Sequence, residues 1–370
     1  MRTGIATIPL DYGKCPYWLF ERMKRLSRGI MIAIVEEFGS EEVLKRLADP
    51  VWFQSLGCVL GFDFNSSGLT TTVLGALKEG VRGLESDLGV FVCGGKGKTS
   101  KKTPQNIEDW GQFLSWPMDR IDKLVYASKM SAKTDNVLLQ DGFQLYHHNL
   151  IFTKSGSWTV IQQGMSETKK KARRYHWLSW QVKDFVEEPH SGIASQIKVK
   201  PLNLTAKKSR NNRQISSQLV KEGPKTFLKD ISLIQRKKEG QLTLMEMPNL
   251  EFYHHPVEKE KFDLKRLEKI IFLAHDQNPQ NFEGLLKIKG VGPRTIRALS
   301  LVSELIYGAK PSYQDPARYS FAVGGKDGTP FPVDRVTYNQ ALEVMEKGIK
   351  KSNIRYQEKL AALERLDKFS

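Results

Sequence analysis

The sequence predicts an α+β protein in which a mixed N-terminal domain is joined by a basic connector to a mainly helical C-terminal domain. Residues 1–190 mix helical and strand patterns and include two apolar runs, 143–152 and 158–163, with a Gly-containing turn between them. Two runs joined in this way favour an antiparallel hairpin. Residues 191–215 are basic and lack any carboxylate, and residues 216–370 show mainly helical periodicity.

The other elements of the first block follow from their apolar patterns. Helical periodicity and strand-like runs alternate along it, with strands expected at 4–10, 59–63 and 90–93 and helices at 17–38, from Ser40 onward, at 69–78 and at 121–130. Ser40 suits a helix start because Glu41 and Glu42 occupy the first turn.

The composition favours a polyanionic partner. The chain of 370 residues carries 57 Lys and Arg against 41 Asp and Glu, a net charge of +16 with a pI near 9.5. Such an excess suits phosphate neutralisation, although net charge informs about association and not about fold. Cys15, Cys58 and Cys93 are too far apart for a zinc ribbon or a disulfide framework. With no signal-peptide core and no membrane-length apolar run, we expect a cytoplasmic protein without a membrane partner.

Two loops of the first block are candidates for phosphate contact. The segment 94–103 is rich in Gly and Lys, but Val92 occupies the position at which a P-loop requires its first glycine. ATP binding is therefore not expected, and a flexible loop that contacts phosphate fits better, with Lys96 as a candidate catalytic amine. The hydroxyl-rich loop 63–71 either caps its own helix or holds a phosphate.

Polar side chains on the predicted hairpin form a candidate active site. The segments 146–149 and 161–164 bring two histidines close to two glutamines if the hairpin forms. Neighbouring residues of a strand point to opposite faces, so at most one of His147 and His148 joins a given site. A structural role for that histidine stays open. The candidate catalytic residues of this block are Lys96, Asp141, His148 and Gln163.

Two kinds of chemistry are compatible with these residues. A nuclease needs two or three carboxylates around Mg²⁺, for which Asp63, Asp135 and Asp141 are available. A glycosylase or abasic-site lyase needs only one carboxylate or one lysine amine. The block offers many lysines in polar settings, and these favour base or abasic-site chemistry: Lys14, Lys96, Lys98 and Lys133.

The segment 167–183 interleaves cations with aromatic rings. Lys169, Lys170, Arg173 and Arg174 are followed closely by Tyr175, Trp177 and Trp180. Cations for phosphate and rings for stacking suit a nucleic acid. An amphipathic helix with its rings in the core is the alternative. The connector that follows, residues 191–215, is expected to be a loop that is either mobile or bound along DNA.

The stretch 285–306 predicts two helices joined by a tight turn. Gly290 and Gly292 permit the turn, and Pro293 occupies the first position of the second helix. This pattern resembles the helix-hairpin-helix motif of DNA-repair proteins, here at 281–307, which holds the phosphate backbone and can carry a monovalent cation. The expected DNA contacts are Lys287, Lys289, Gly290, Val291, Gly292, Arg294 and Thr295.

A further carboxylate follows from the same resemblance. Helix-hairpin-helix glycosylases place a catalytic Asp in a Val-Asp segment after the hairpin, which implies Asp334 here. Arg294 stands where the lyase subgroup carries its lysine, and an arginine cannot act as an amine nucleophile. The alternative is that Asp334 caps a helix beginning near Val336.

Several long motifs resemble a family of mostly archaeal and thermophile proteins, the domain of unknown function 763. They extend along essentially the whole chain: RTGIATIPLDYGKCPYWLF, GFDFNSSGLTT, GGKGKTSKKTP, LLQDGFQLYHHN, WTVIQQGM, ARRYHWLS and DPARYSFAVGGKDG. The resemblance implies an enzyme-like domain joined to a DNA-binding module, in a protein that acts in DNA repair.

The sequence as a whole predicts a DNA-binding repair enzyme, a DNA glycosylase or abasic-site lyase that acts on damaged bases. A metal-dependent, structure-specific nuclease using Mg²⁺ is the first alternative. A DNA-binding accessory factor without catalytic activity is the second.

Overall fold

A computed structural model describes residues 15–61, 68–195, 197–238, 262–319, 343, 345–350 and 356–367. Its helices are α1 (Tyr17–Phe38), α2 (Ser40–Ala48), α3 (Pro50–Val59), α4 (Gly68–Val81), α5 (Glu85–Leu88), α6 (Thr103–Phe113), α7 (Met118–Val137), α8 (Arg210–Glu222), α9 (Pro224–Lys238), α10 (Leu264–Asp276), α11 (Phe282–Lys287), α12 (Pro293–Leu305) and α13 (Tyr356–Asp367). Its strands are β1 (Val90–Lys96), β2 (Leu139–Gln140), β3 (Gln144–Thr153), β4 (Trp158–Ser166), β5 (Lys171–Leu178), β6 (His190–Ser195) and β7 (Leu202–Asn203). No helix in these ranges is both long enough and apolar enough to span a membrane.

The central element is an antiparallel sheet of five strands in the order β1-β3-β4-β5-β6. The predicted hairpin is confirmed, because β3 pairs with β4 and Gly156 turns between them with a φ of 90°. Helices α1 to α4 pack on one face, here called the α4 face, and α6 and α7 pack on the other, the α7 face. The α+β class predicted from the sequence is therefore confirmed.

One local prediction of secondary structure was wrong, and one alternative that the sequence left open is excluded. The segment 167–183 is not helical, since Lys171–Leu178 forms β5 in the interior of the sheet. Because a strand presents successive side chains to opposite faces, Tyr175 and Trp177 share the α7 face with Arg173, while Arg174 lies on the α4 face, and both faces are covered. The strand expected at 59–63 also differs, because Val59 is the last residue of helix α3.

The predicted connector is largely built into the fold. His190–Ser195 pairs with β5 as the edge strand of the sheet, Leu202–Asn203 pairs with β2, and helix α8 begins at Arg210. The segment therefore differs from the expected loop, and its apolar residues Leu202 and Leu204 are fully buried.

The helical half does not form a core of its own. Helices α8 to α12 share one apolar cluster with residues of the first block, among them Met130, Leu138 and Val186. In the other direction, Met345 and Leu366 near the C-terminus pack into the cluster under α1 and α3. The boundary expected between 190 and 216 therefore does not separate two independent cores in the described residues.

Candidate functional site

The predicted pair of helices joined by a tight turn is present at the end of the helical half. Helix α11 ends at Lys287, and α12 begins with Pro293 at its first position. The amide of Val291 donates to the carbonyl of Ile288 at 3.3 Å, which closes the turn. Gly290 has a φ of 98°, a value that side chains rarely adopt, so glycine is required there.

The turn exposes some of the predicted DNA contacts and buries others. The exposed residues are Lys287, Lys289, Gly290 and Arg294, and Gly292 is half-buried. Val291 and Thr295 are buried and fix the turn to the core. The first turn of a helix presents backbone amides without intrahelical acceptors, and its dipole favours an anion there. The turn therefore combines amide donors, a helix N-terminus and exposed cations on one surface.

Hydrogen bonds attach this turn to the first block. Lys133 of α7 donates its ammonium group to the carbonyl of Ile288 at 2.9 Å, and burial lowers the pKa of this lysine. The amide of Gln140 donates to the carbonyl of Pro293 at 3.0 Å, and Arg297 donates to Gln140 at 2.5 Å. The start of α12 and the end of α11 are thus both tied to the α7 side of the sheet.

A polar row crosses the α4 face of the sheet at one end. Strand register aligns Lys96 of β1, His147 of β3, Gln163 of β4 and Arg174 of β5, with their side chains on the same face. Lys96 is exposed, whereas the other three are buried. The structure thus brings together two predicted catalytic residues, Lys96 and Gln163, and places His147 between them.

His147 is the unusual member of this row. Only 2% of the residue is exposed, and its side chain contacts that of Asn149, two residues along the same strand. Burial lowers the pKa of His147 to about 3, with a further lowering by His148, although a side-chain hydrogen bond with Asn149 partly opposes the effect. The imidazole is therefore neutral. Asn149 donates its amide to the carbonyl of Cys93 at 2.8 Å.

Arg174 and Arg173 are not available to a partner at the surface, contrary to the sequence prediction. Arg174 is buried on the α4 face and donates to His176 Nε2 at 2.8 Å and to Gln54 Oε1 at 3.1 Å. Burial lowers the pKa of Arg174 to about 9. Since His176 Nε2 accepts from this guanidinium, its Nδ1 carries the proton and donates to the carbonyl of Leu47 at 3.0 Å.

Arg173 lies on the α7 face with a fully buried side chain. It forms ion pairs with Asp141 at 2.9 Å and Asp315 at 2.7 Å, and Tyr175 donates its hydroxyl to Asp141 at 2.8 Å. The predicted catalytic carboxylate Asp141 is therefore held by an arginine and a tyrosine inside the protein. Of the four cations that were expected to contact a nucleic acid in this segment, Lys169 and Lys170 are exposed.

His148 belongs to a second polar chain on the α7 face. Ser128 Oγ lies 2.8 Å from His148 Nε2, and His148 Nδ1 lies 2.7 Å from Gln162 Oε1. Gln162 donates its amide to Asp135 at 2.5 Å, so its oxygen accepts from His148 and the serine hydroxyl donates to Nε2. The order Ser128, His148, Gln162 resembles that of a nucleophile, a base and a group that orients the base. Ser128 and His148 are, however, only 2% and 7% exposed, so a substrate does not reach them in this conformation.

The carboxylates proposed for Mg²⁺ do not come together. Asp135 accepts from Gln162, Trp177 and His190, whereas Asp141 belongs to the separate pair with Arg173. Within the described ranges, no group of three His, Cys, Asp or Glu side chains has the geometry to hold a metal. Asp334, which was expected to be catalytic, and Asp63 lie outside the described residues.

The comparison with protein families agrees with the motifs of the sequence. A family described as "Protein of unknown function (DUF763)" matches residues 4–333. The chain belongs to the DUF763 family. This assignment covers the sheet, the helical half and the turn between α11 and α12 in one unit. No curated protein and no solved structure matches the chain.

Sequence reasoning missed three members of the polar networks: Ser128, Asn149 and His190. The serine lies on the buried side of an otherwise amphipathic helix, where a small polar residue carries no distinctive signal. Asn149 belongs to the polar segment 146–149, but the sequence alone assigned it no role. Because Asn149 follows His147 by two residues in a predicted strand, both side chains lie on the same face. This spacing could have been used to predict that they are neighbours.

Proposed function

We propose that this DUF763 protein binds duplex DNA through the turn between α11 and α12 and acts in DNA repair. The observation that supports the proposal is the exposed turn itself, in which Gly290 and the N-terminus of α12 are bordered by Lys287, Lys289 and Arg294. Amide donors and cations of this kind bind phosphate oxygens irrespective of base sequence. The net charge of +16 strengthens the attraction at long range.

The binding test measures the affinity for a fluorescent duplex over a series of salt concentrations. Removing Lys289 or Arg294 should weaken binding and lower the salt slope by about one for each phosphate that the variant no longer neutralises. The pair Gly290→Val and Gly292→Val should weaken binding to every duplex. Lys154→Ala, an exposed cation in the turn between β3 and β4, serves as the matched control. Equal slopes for all variants would contradict the proposal.

The chemistry that we propose is base excision with cleavage at abasic sites. Lys133 supports it, because this half-buried amine has a lowered pKa and contacts the turn that would hold the DNA. A less protonated amine is a better nucleophile. Its attack on the aldehyde carbon of an abasic sugar would form a Schiff base and release one water molecule.

Borohydride trapping on abasic duplexes tests this step. The wild-type protein should form a covalent adduct, and Lys133→Arg should abolish it, because arginine keeps a donor for Ile288 but is no amine nucleophile. Lys129→Arg, an exposed lysine of the same helix, is the control. Strand cutting that is abolished by EDTA, without an adduct, would favour the nuclease instead. Binding without adduct or cutting would favour an accessory factor.

A further inference from the structure

A groove of about 440 Å³ lies between helix α8 and the start of helix α11. Cations, side-chain amides and one hydroxyl line it, and none of the described residues in its wall carries a carboxylate. Phe282 is the apolar residue of the wall, and only 7% of it is exposed. Gln214 and Lys221 are exposed, so the groove opens to solvent. A groove built mainly of hydrogen-bond donors suits a ligand that carries acceptors.

Positive charge predominates at this groove. Arg210 and Arg213 both form ion pairs with the carboxylate of Glu187, so two cations share one anion. Lys221 is exposed and forms no ion pair with the described residues. Glu222 accepts a hydrogen bond from the amide of a groove glutamine at 3.0 Å but does not line the groove. Three cations against two carboxylates leave a net positive charge, which favours an anionic ligand.

Two further side chains offer donors to such a ligand. Asn281 accepts from the backbone amide of Gly284 with Oδ1 at 2.8 Å, so the N–H groups of its side chain point elsewhere. Ser217 Oγ lines the groove and forms no hydrogen bond with the described residues. Among these lining residues a metal ion would find no carboxylate, and a nucleobase would find no exposed ring on which to stack. An oxyanion such as phosphate accepts from donors and cations of this kind.

The donors follow the length of helix α8. Arg210, Gln214, Ser217 and Lys221 recur at helical spacing, so they lie along one side of the helix. At about 1.5 Å per residue, this stripe is about 16 Å long. One strand of B-DNA presents a phosphate about every 3.4 Å along the helix axis, so the stripe can meet several successive phosphates. A free phosphate ion would occupy only part of it.

The groove and the turn between α11 and α12 lie at opposite ends of α11. Asn281 and Phe282 line the groove at the start of this helix, and the turn follows Lys287 at its end. Because α11 has six residues, the helix that separates the two surfaces is roughly 9 Å long. We infer that the groove between α8 and α11 binds phosphates of the same DNA backbone that the turn holds. The inference rests on the proposed function and adds a second surface to it.

Charge reversal at Lys221 tests the groove. Lys221→Glu should weaken binding of a fluorescent duplex about tenfold and lower the salt slope by about one, because a phosphate contact is lost. Gln214→Leu removes N–H donors without a change of charge and should weaken binding about threefold. Lys154→Glu changes the net charge equally but lies in the turn between β3 and β4, so it should leave the slope unchanged. Equal effects of Lys221→Glu and Lys154→Glu would overturn the inference.

Hydroxyl-radical footprinting locates the contact on the duplex. The wild-type protein should protect two stretches of backbone, of which Lys221→Glu loses one and Lys289→Ala loses the other. Protection that Lys221→Glu leaves intact would overturn the inference and leave the proposed binding by the turn in place. A wild-type protein that binds no duplex would overturn both. Binding of inorganic phosphate that Lys221→Glu abolishes, with duplex binding unchanged, would show a site for a free anion and would also overturn the inference.

Urea unfolding separates a lost contact from a lost fold. Lys221 and Lys289 are both exposed, so both variants should unfold at the same urea concentration as the wild type.

Discussion

Acidification should destabilise the sheet through three buried histidines. Burial lowers the pKa values of His147, His148 and His176, that of His147 to about 3. In the unfolded chain each returns to a pKa near 6.5. Below that pH the unfolded state binds protons that the folded state does not, so the free energy of unfolding falls as the pH falls.

Proton linkage gives the size of the effect. Lowering the pH from 7.5 to 5.5 reduces the free energy of unfolding by about 1.4 kcal/mol for each histidine that stays neutral in the folded protein. His147, whose pKa is about 3, contributes this full amount, and the lowered pKa values of His148 and His176 act in the same direction. The stability that depends on these neutral histidines is fully present well above pH 6.5. It is lost as the pH falls from 6.5 toward their pKa values in the folded protein.

Urea unfolding at pH 7.5, 6.5 and 5.5, followed by tryptophan fluorescence, measures this dependence. His147→Phe should reduce the loss of stability between pH 7.5 and 5.5 by about 1.4 kcal/mol, because the group that contributes this amount is gone. Asn149→Leu keeps all three histidines and should retain the full slope. The same free energy of unfolding at pH 7.5 and 5.5, or an unchanged slope in His147→Phe, would refute the assignment of neutral buried imidazoles.

Two further predictions concern the sheet. Arg173→Met should lower the free energy of unfolding by about 3–5 kcal/mol in urea titrations, because two buried carboxylates lose their cation. Lys171→Met, at the start of the same strand, should change it by less than about 0.5 kcal/mol. Gly94→Ala should destabilise more than Gly142→Ala in thermal melts. Both glycines have a positive φ, but a Cβ atom at Gly94 would lie 2.2 Å from the carbonyl of His148, whereas the space at Gly142 is open. Equal losses at the two glycines would show that conformational strain alone decides the cost.

The sequence predicted the elements whose signal is local. The pairing of β3 with β4 followed from two apolar runs and a glycine turn, and the two ends of the α11–α12 turn followed from Gly290, Gly292 and Pro293. The opposite orientation of His147 and His148 followed from the period of a strand. These features depend on neighbours within a few residues.

The burial of Arg173 and Arg174 could not be predicted from such local patterns. Arg173 is neutralised by Asp315, 142 residues further along the chain, and Arg174 bonds to Gln54, 120 residues before it. Such partners are set by the packing of strands and helices, which no local pattern records. For the same reason the sequence could not decide which histidine would find partners. Ser128 of α7 bonds to His148, whereas His147 contacts Asn149 of its own strand.

The apolar cluster that α8 to α12 share with Met130, Leu138 and Leu202 has a consequence for how this chain can be divided. A fragment beginning near residue 216 would expose the surface that these residues cover, and the remaining sheet would expose its own side of the same cluster. The turn between α11 and α12 is therefore not a transferable module. Its contacts with Lys133 and Gln140 join it to the first block, so a substitution that disrupts this block should also disturb the conformation of the turn.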